Sequence, residues 1–323
     1  MTERSHVVVL GATREDPPPN LEVVEGVVDV SYATTADELA RALAGADVLL
    51  AWRPDGRPLS SAWSQAGDLK WIQSASAGVD GLLFPELVQS HVVLTNARGV
   101  FDTGIAEFVL GLMLLFAKDL IGVLDGQAAR EWRHTDTETL EAKRLLVVGA
   151  GPIGRAIGKT AKGFRMLVRG VGRTARPGDE VFASIMGVDE LEDALGWADY
   201  VVDTLPATPG TRHLFDRKAF AAMHPWARFI NVGRGSTVDE DALVEALRSG
   251  TIAAAALDVF EDEPLSAGSP LWDLPNVVVS PHMAGDTAGW RESVVELFVE
   301  NLERYLTGSP MRNVVDKKLG FVP

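Results

Sequence analysis

Short apolar runs rich in Val, Leu and Ile recur along nearly the whole chain, separated by stretches in which apolar residues return every three or four positions. Residues 7–10, 27–30, 48–51, 71–73, 92–95, 145–149, 166–171, 200–204, 228–232, 254–258 and 277–280 are predicted strands. They are nearly continuous in apolar character, as strands buried on both faces are. The helical period between them predicts helices at 36–44, 153–162, 190–197 and 239–249. Alternation of this kind predicts an α/β fold of parallel sheets covered by helices on both faces.

Eleven strands are many for one open sheet. Five precede a long helical stretch from about Thr103 to Arg130 and six follow it, which predicts two doubly wound parallel-sheet domains. A last helical pattern, 288–306, comes after the final strand. The 323 residues suffice for two domains of ordinary size.

Composition narrows the function. A net charge of −15 argues against a nucleic-acid partner, since phosphate backbones require clustered Lys and Arg. The chain has no cysteine, which removes disulfides and thiolate metal sites. No other metal-ligand cluster stands out. The longest apolar stretch, 108–117, lies between Glu107 and Lys118 and is too short to cross a bilayer. The run 7–10 reads as a strand rather than a signal sequence, so the expected compartment is the cytoplasm.

One segment carries recognisable chemistry. Leu145-Leu146-Val147-Val148-Gly149-Ala150-Gly151-Pro152-Ile153-Gly154 is a buried strand running into G-x-G-x-x-G, and a helical pattern follows from Arg155. Gly149 permits the tight turn, Gly151 lets backbone approach a pyrophosphate, and Gly154 lets helix and strand pack closely. The helix that starts at Pro152 and Ile153 offers the free N–H groups of its first turn, Pro152 having none, and a partial positive charge to phosphates.

Four further blocks follow in order: Leu205-Pro206-Ala207-Thr208-Pro209-Gly210-Thr211, Asn231-Val232-Gly233-Arg234-Gly235, Leu257-Asp258-Val259-Phe260-Glu261-Asp262-Glu263-Pro264, and Ser280-Pro281-His282-Met283-Ala284-Gly285. With the glycine motif they resemble the D-isomer-specific 2-hydroxyacid dehydrogenases, the family of phosphoglycerate dehydrogenase and of glyoxylate/hydroxypyruvate reductases. The likeness runs from about Ser74 onward. It implies a Rossmann-type nucleotide domain at 99–286. It also implies a flavodoxin-like substrate domain made of 1–98 and 287–323, with the last helix returning to it. The long helix at Thr103–Arg130 corresponds to part of the family's dimer interface, so a homodimer is expected.

Reducing a 2-keto acid requires a carboxylate anchor, polarisation of the ketone and a proton donor. His282 is the expected donor, because imidazole titrates near neutral pH and this one follows a strand end, where open α/β sheets gather ligands. His6, His91, His134 and His224 read as structural. Glu263 is by composition one acid among Glu261-Asp262-Glu263, and only its match to the family's Glu-Pro pair makes it the partner of His282. Arg234, flanked by Gly233 and Gly235, suits a two-pronged grip on a carboxylate. Backbone N–H groups of Ala77, Gly78 and Val79 are expected to complete the carboxylate cradle, as the family's corresponding loop does, and Arg53 is a further candidate. The resemblance also assigns Asp258 to the nicotinamide carboxamide. Thr103, Leu205, Pro206, Thr211, Val232, Gly233, Ala284 and Gly285 are expected to line the cofactor site. Trp52 and Trp290 are either substrate-pocket walls or core.

The second nucleotide strand ends in Gly172, then Arg173, Thr174 and Arg176, where an NAD enzyme usually places Asp or Glu. That suits a 2′-phosphate and predicts NADP(H) in preference to NAD(H), which stays possible. The alternative is two solvated arginines. Leu140-Glu141-Ala142-Lys143 departs from the family's Leu-x-Gly-Lys, a change expected to be neutral. Two rival functions stay open on sequence alone: a formate or phosphite oxidoreductase of the same fold, and a nucleotide-sensing corepressor-like interaction protein.

Overall fold

The computed structural model describes residues 4–323. Its contacts divide the chain into two units, Met1–Phe101 with Thr287–Pro323, and Asp102–Asp286. The first unit holds β1 (His6–Leu10), β2 (Asp29–Ala33), β3 (Val48–Ala51), β4 (Trp71–Ser74) and β5 (Val93–Thr95), with α1 (Ala36–Leu43), α2 (Gly56–Ala62) and α3 (Pro85–Gln89) between them. Every pairing is parallel and the order is β2-β1-β3-β4-β5, the flavodoxin-like arrangement. The helix α1 starts where Thr34-Thr35-Ala36-Asp37-Glu38 forms a capping box. Thr35 Oγ1 accepts the Glu38 N–H and the Glu38 carboxylate accepts that of Thr35, both at 3.3 Å. Such a cap is worth about 1 kcal/mol.

The second unit contains α4 (Asp102–Ala117), α5 (Leu120–Ala129), β6 (Arg144–Val148), α6 (Pro152–Gly163), β7 (Leu167–Gly172), β8 (Arg176–Pro177), β9 (Ser184–Gly187), α7 (Leu191–Leu195), β10 (Tyr200–Asp203), α8 (Arg217–Ala222), β11 (Arg228–Asn231), α9 (Glu240–Arg248), β12 (Ala254–Leu257) and β13 (Val277–Val279). The sheet order is β13-β12-β11-β10-β6-β7-β9-β8. Without the two edges this is the doubly wound dinucleotide-binding order, with its reversal point between β6 and β10. All pairs are parallel except β8 with β9. Phe215, Phe220 and Phe229 are fully buried, and Phe229 lies 4.8 and 5.5 Å from the other two rings. They anchor the core beside α8 and α9.

The chain then returns to the first unit as α10 (Trp290–Leu306). Val295, Phe298 and Leu302 form its buried stripe, and Phe298 stacks on Trp71 at 5.4 Å. Each such side chain contributes roughly 1.5–3 kcal/mol by leaving water.

Three expectations need correction. The stretch from Thr103 to Arg130 is two helices, because Lys118-Asp119 interrupts it with Asp119 in the left-handed region at φ 46°. The strand placed at 27–30 is Asp29–Ala33 instead, after a turn in which the Val27 N–H bonds the Val24 carbonyl. Strands β8 and β9 were not predicted from the sequence: they are short, interrupted by Pro177 and Gly178, and show little alternation.

Candidate active site

The parallel strands β6, β10, β11, β12 and β13 end on one edge of the second unit's sheet, and the five sequence blocks leave from those ends. At β6 two of the glycines, Gly149 and Gly154, meet the steric demands that their spacing predicts. Gly149 has φ 111°, and a side-chain carbon there would collide with Thr204. A carbon on Gly154 would strike the Gly149 carbonyl and Val147, so only glycine allows α6 this close to β6. Gly151 is the N-cap of α6, Pro152 is its first residue, and a carbon on Gly151 would meet nothing within 4 Å. That open space in front of a helix start fits a dinucleotide pyrophosphate.

Beyond β13 the chain makes a turn fixed by Asp258, the residue after β12. Its nearly buried carboxylate accepts bonds from Ser280 Oγ at 2.6 Å and from the Met283 and Ala284 N–H groups at 2.9 Å. Of about four lone-pair directions, one is left for a further donor. The turn holds His282 in the left-handed region, φ 52°, a conformation that costs energy outside glycine. So held, His282 Nδ1 lies 2.7 Å from Glu263 Oε2. The other Glu263 oxygen accepts the Phe260 N–H at 3.0 Å.

A carboxylate against Nδ1 requires a hydrogen on that nitrogen, which leaves Nε2 as the atom that gains or loses a proton. The Glu263 bond raises the His282 pKa, opposed by burial and by the charge of Arg234, and assisted by the charges of Glu263 and Asp258. Burial works against an ionised Glu263, but the bonds from His282 and from the Phe260 N–H, with the charges of His282 and Arg234, hold its pKa below normal. Both side chains are partly exposed, His282 by half.

Arg234 follows β11 between two close backbone approaches. A carbon on Gly233 would lie 2.7 Å from the Leu205 nitrogen, and one on Gly235 would overlap the Phe260 carbonyl. Thr237 Oγ1 and Asn231 Nδ2 both donate to the Arg234 carbonyl, at 2.6 and 3.1 Å. Asn231 Oδ1 accepts the Gly233 N–H at 2.9 Å. Next to Gly233, the turn Leu205–Pro206 is closed by Thr211, whose hydroxyl donates to the Pro206 carbonyl at 2.7 Å, and the Val232 N–H bonds the Asp203 carbonyl at 3.1 Å.

Sequence reading missed Asp203, the last residue of β10. It is fully buried, receives the Leu205 N–H at 2.9 Å and lies 2.5 Å from Thr237 Oγ1. Desolvation pushes its pKa up to about 7 against the pull of those two bonds. A hydroxyl has one hydrogen. When Asp203 is protonated its proton serves Thr237, and the Thr237 hydrogen is committed to the Arg234 carbonyl. The only sequence signal was a carboxylate closing the apolar run Tyr200-Val201-Val202.

At the end of β7, Gly172 pairs with Gly187, and Arg173, Thr174 and Arg176 are exposed, Arg176 lying in β8. Arg155, in the first turn of α6, reaches Asp179 at 2.6 Å and Glu180 at 2.8 Å and tethers this excursion. It holds the Asp179 carboxyl well below the usual range, with help from the Phe182 and Val181 N–H groups. Thr103 is exposed at the start of α4, Ala284 is buried and Gly285 half-buried.

Arg53 and residues 77–79 belong to the first unit. Arg53 is exposed beyond β3 and lies against Gly11, whose φ of 91° and lack of a side chain make the contact possible. In that unit Trp52 and Trp290 stack at 6.2 Å, with Phe101 5.7 Å from Trp290.

Comparison with known proteins points the same way. The family described as D-isomer specific 2-hydroxyacid dehydrogenase, NAD binding domain, matches residues 110–284. A D-3-phosphoglycerate dehydrogenase of Methanocaldococcus jannaschii is 33% identical over 315 residues, 96% of this chain; the match spans only 59% of that longer protein. A glyoxylate/hydroxypyruvate reductase B of Pectobacterium atrosepticum is 37% identical over 260 residues, 78% of this chain and 80% of its own. A D-isomer specific 2-hydroxyacid dehydrogenase of Xanthobacter autotrophicus Py2, solved with NADPH and MES, superposes with a TM-score of 0.83 at 32% identity, covering 98% of this chain and all of the other.

Proposed function

The chain belongs to the D-isomer-specific 2-hydroxyacid dehydrogenases, and on that premise we propose that it reduces 2-keto acids to D-2-hydroxy acids, drawing on NADPH in preference to NADH. The observation that carries the reading is the 2.7 Å pair of His282 and Glu263 on the strand-end edge that also presents Arg234 and the glycine turn.

When bound, the dinucleotide supplies the hydride that goes to the carbonyl carbon. The protein's part is charge and proton. Arg234 leans on the substrate's carboxylate and carbonyl oxygen, a geometry guanidinium suits better than ammonium. His282, kept charged by Glu263, gives its Nε2 proton to the oxygen as negative charge develops there, and the neutral ring stays bonded through Nδ1–H. In the oxidative direction the neutral ring takes the proton back. Asp258 has a lone pair left for the carboxamide while it holds the His282 turn.

The second unit is then the nucleotide domain and the first carries the substrate loop. Gly172, with Arg173, Thr174 and Arg176 exposed beside it, supports room and charge for a 2′-phosphate, and the Xanthobacter relative was solved with NADPH. Leu120, Val123 and Leu124 are exposed on α5 and support a homodimer through this region. No helix among the described residues is long and apolar enough to cross a membrane.

The test is turnover of NADPH and NADH with glyoxylate, hydroxypyruvate and phenylpyruvate, with chiral analysis of the product. Formation of the D-acid supports the proposal; no oxidation of either cofactor with any of them refutes it.

A further inference from the structure

The loop after β4 has an unusual division of its polar groups. The Ser76 carbonyl accepts the Ala97 N–H at 3.0 Å, the Ala77 carbonyl accepts Asn96 Nδ2 at 2.5 Å, and the Gly78 carbonyl accepts Ser76 Oγ at 2.5 Å. The Val79 carbonyl is taken by the Leu82 and Leu83 N–H groups. Four successive carbonyls are thus satisfied from within the first unit. Among the described residues, the N–H groups of Ala77, Gly78 and Val79 have no acceptor. Unpaired N–H groups beside a nearly buried residue such as Val79 are rare and call for a ligand.

Asn96 is itself fixed. Its Oδ1 accepts the Arg98 N–H at 3.2 Å, which turns Nδ2 toward Ala77. Its backbone pairs with Asn313 of the C-terminal segment: the Asn96 N–H bonds the Asn313 carbonyl, and the Asn96 carbonyl accepts Asn313 Nδ2, both at 3.2 Å. Asn96 is nearly buried and Asn313 half-buried.

We propose that Asn96, held by Asn313 and assisted by Ser76, is a positioning residue that turns the carbonyls of this loop inward and so aims the N–H groups of residues 77–79 at the carboxylate of a 2-keto acid. The inference rests on the 2-keto acid reading and adds to it the device that builds the anion receptor. Successive peptide N–H groups without internal acceptors can bind an anion, and one inverted peptide would present its carbonyl oxygen and repel it. Asn96 never touches substrate. Its effect is on carboxylate affinity, not on the proton or the hydride.

The test compares parent, Asn96→Ala, Asn96→Asp and Ser76→Ala for the KM and kcat of glyoxylate, the Ki of the unreactive keto-acid isostere oxamate, and the Kd of NADPH. Loss of one orienting bond in Asn96→Ala or Ser76→Ala should raise KM and oxamate Ki roughly tenfold. In Asn96→Asp, which keeps the acceptor for Arg98 but sets a negative charge against the Ala77 carbonyl, the rise should approach about a hundredfold. NADPH Kd should stay near the parent's, and kcat should change far less than KM. Unchanged oxamate affinity in a folded Asn96→Ala overturns the proposal, as do parallel losses in kcat, NADPH affinity and KM, which mark a merely structural residue. If the Asn96 variants do not fold, Ser76→Ala decides by the same readouts. A parent that reduces glyoxylate while Asn96→Ala binds oxamate equally well sinks this proposal alone; a parent that reduces no 2-keto acid sinks both.

Discussion

Gly235 lies so close to the Phe260 carbonyl that a side-chain carbon on residue 235 would occupy the same space. The loop carrying Arg234 and the loop carrying Glu263 are therefore in backbone contact, and Phe260 passes that contact on through its N–H bond to Glu263 at 3.0 Å. Gly235→Ala should push the two loops apart, lowering both the denaturation midpoint and kcat/KM. Gly210→Ala, where an added carbon meets nothing within 4 Å, is the control. Parent-like behaviour of both variants would remove the contact from the account.

The His282–Glu263 pair predicts a pH dependence with a definite sign. Glu263 raises the His282 pKa, so reduction, which uses the charged ring, should persist to higher pH than an ordinary histidine allows. Glu263→Gln removes that influence and should move the alkaline fall of kcat to lower pH. The check is the kcat–pH profile of both proteins; superimposable alkaline limbs contradict the assignment.

Asp203 predicts a stability effect of opposite character to that of an ion-paired acid. Its folded pKa, about 7, lies above the unfolded value, so its contribution is fully present below the unfolded pKa and is lost as pH rises through about 7. Between those limits the loss is at most about 1.4 kcal/mol per pH unit. Asp203→Asn cannot ionise, so the stability difference between variant and parent should shift in the variant's favour as pH rises from about 4 to 8. Urea denaturation across that range reads it, and a difference independent of pH argues against a buried titrating carboxyl.

How far the sequence carried these conclusions varies by element. The central strands were legible because burial on both faces leaves continuous apolar runs. The glycines at 149 and 154 were legible because each answers a separate steric demand, and Gly151 because it stands between them at the start of α6. The helix interruption at Asp119 was not, since its neighbours on both sides keep a helical pattern and one left-handed residue leaves no periodic trace. The β8–β9 excursion is held by the reach of Arg155 to Asp179 and Glu180, more than twenty residues away. Asp203 and Asn96 act through partners 34 and 19 residues distant, Thr237 and Ala77. Local pattern records none of these pairings.

Cofactor choice should turn on the end of β7. An added carbon at Gly172 would lie 3.3 Å from Ile185 Cγ2, a contact that a small shift relieves, and the backbone there needs no glycine. Gly172→Asp is therefore expected to fold, to bind the ribose hydroxyls and to repel a 2′-phosphate. Its NADPH-to-NADH ratio of kcat/KM should fall by roughly tenfold or more. Arg173→Ala should erode the ratio without favouring NADH binding. Equal use of NADH by the parent would falsify the NADPH preference alone.

The central claim is that His282 delivers the proton, and kcat of His282→Ala with glyoxylate and NADPH, taken beside its NADPH Kd, tests it most directly. Loss of a general acid should cost about 10²–10⁴-fold in kcat, with the cofactor bound as in the parent. Turnover within a few-fold of the parent across the pH range would contradict the account.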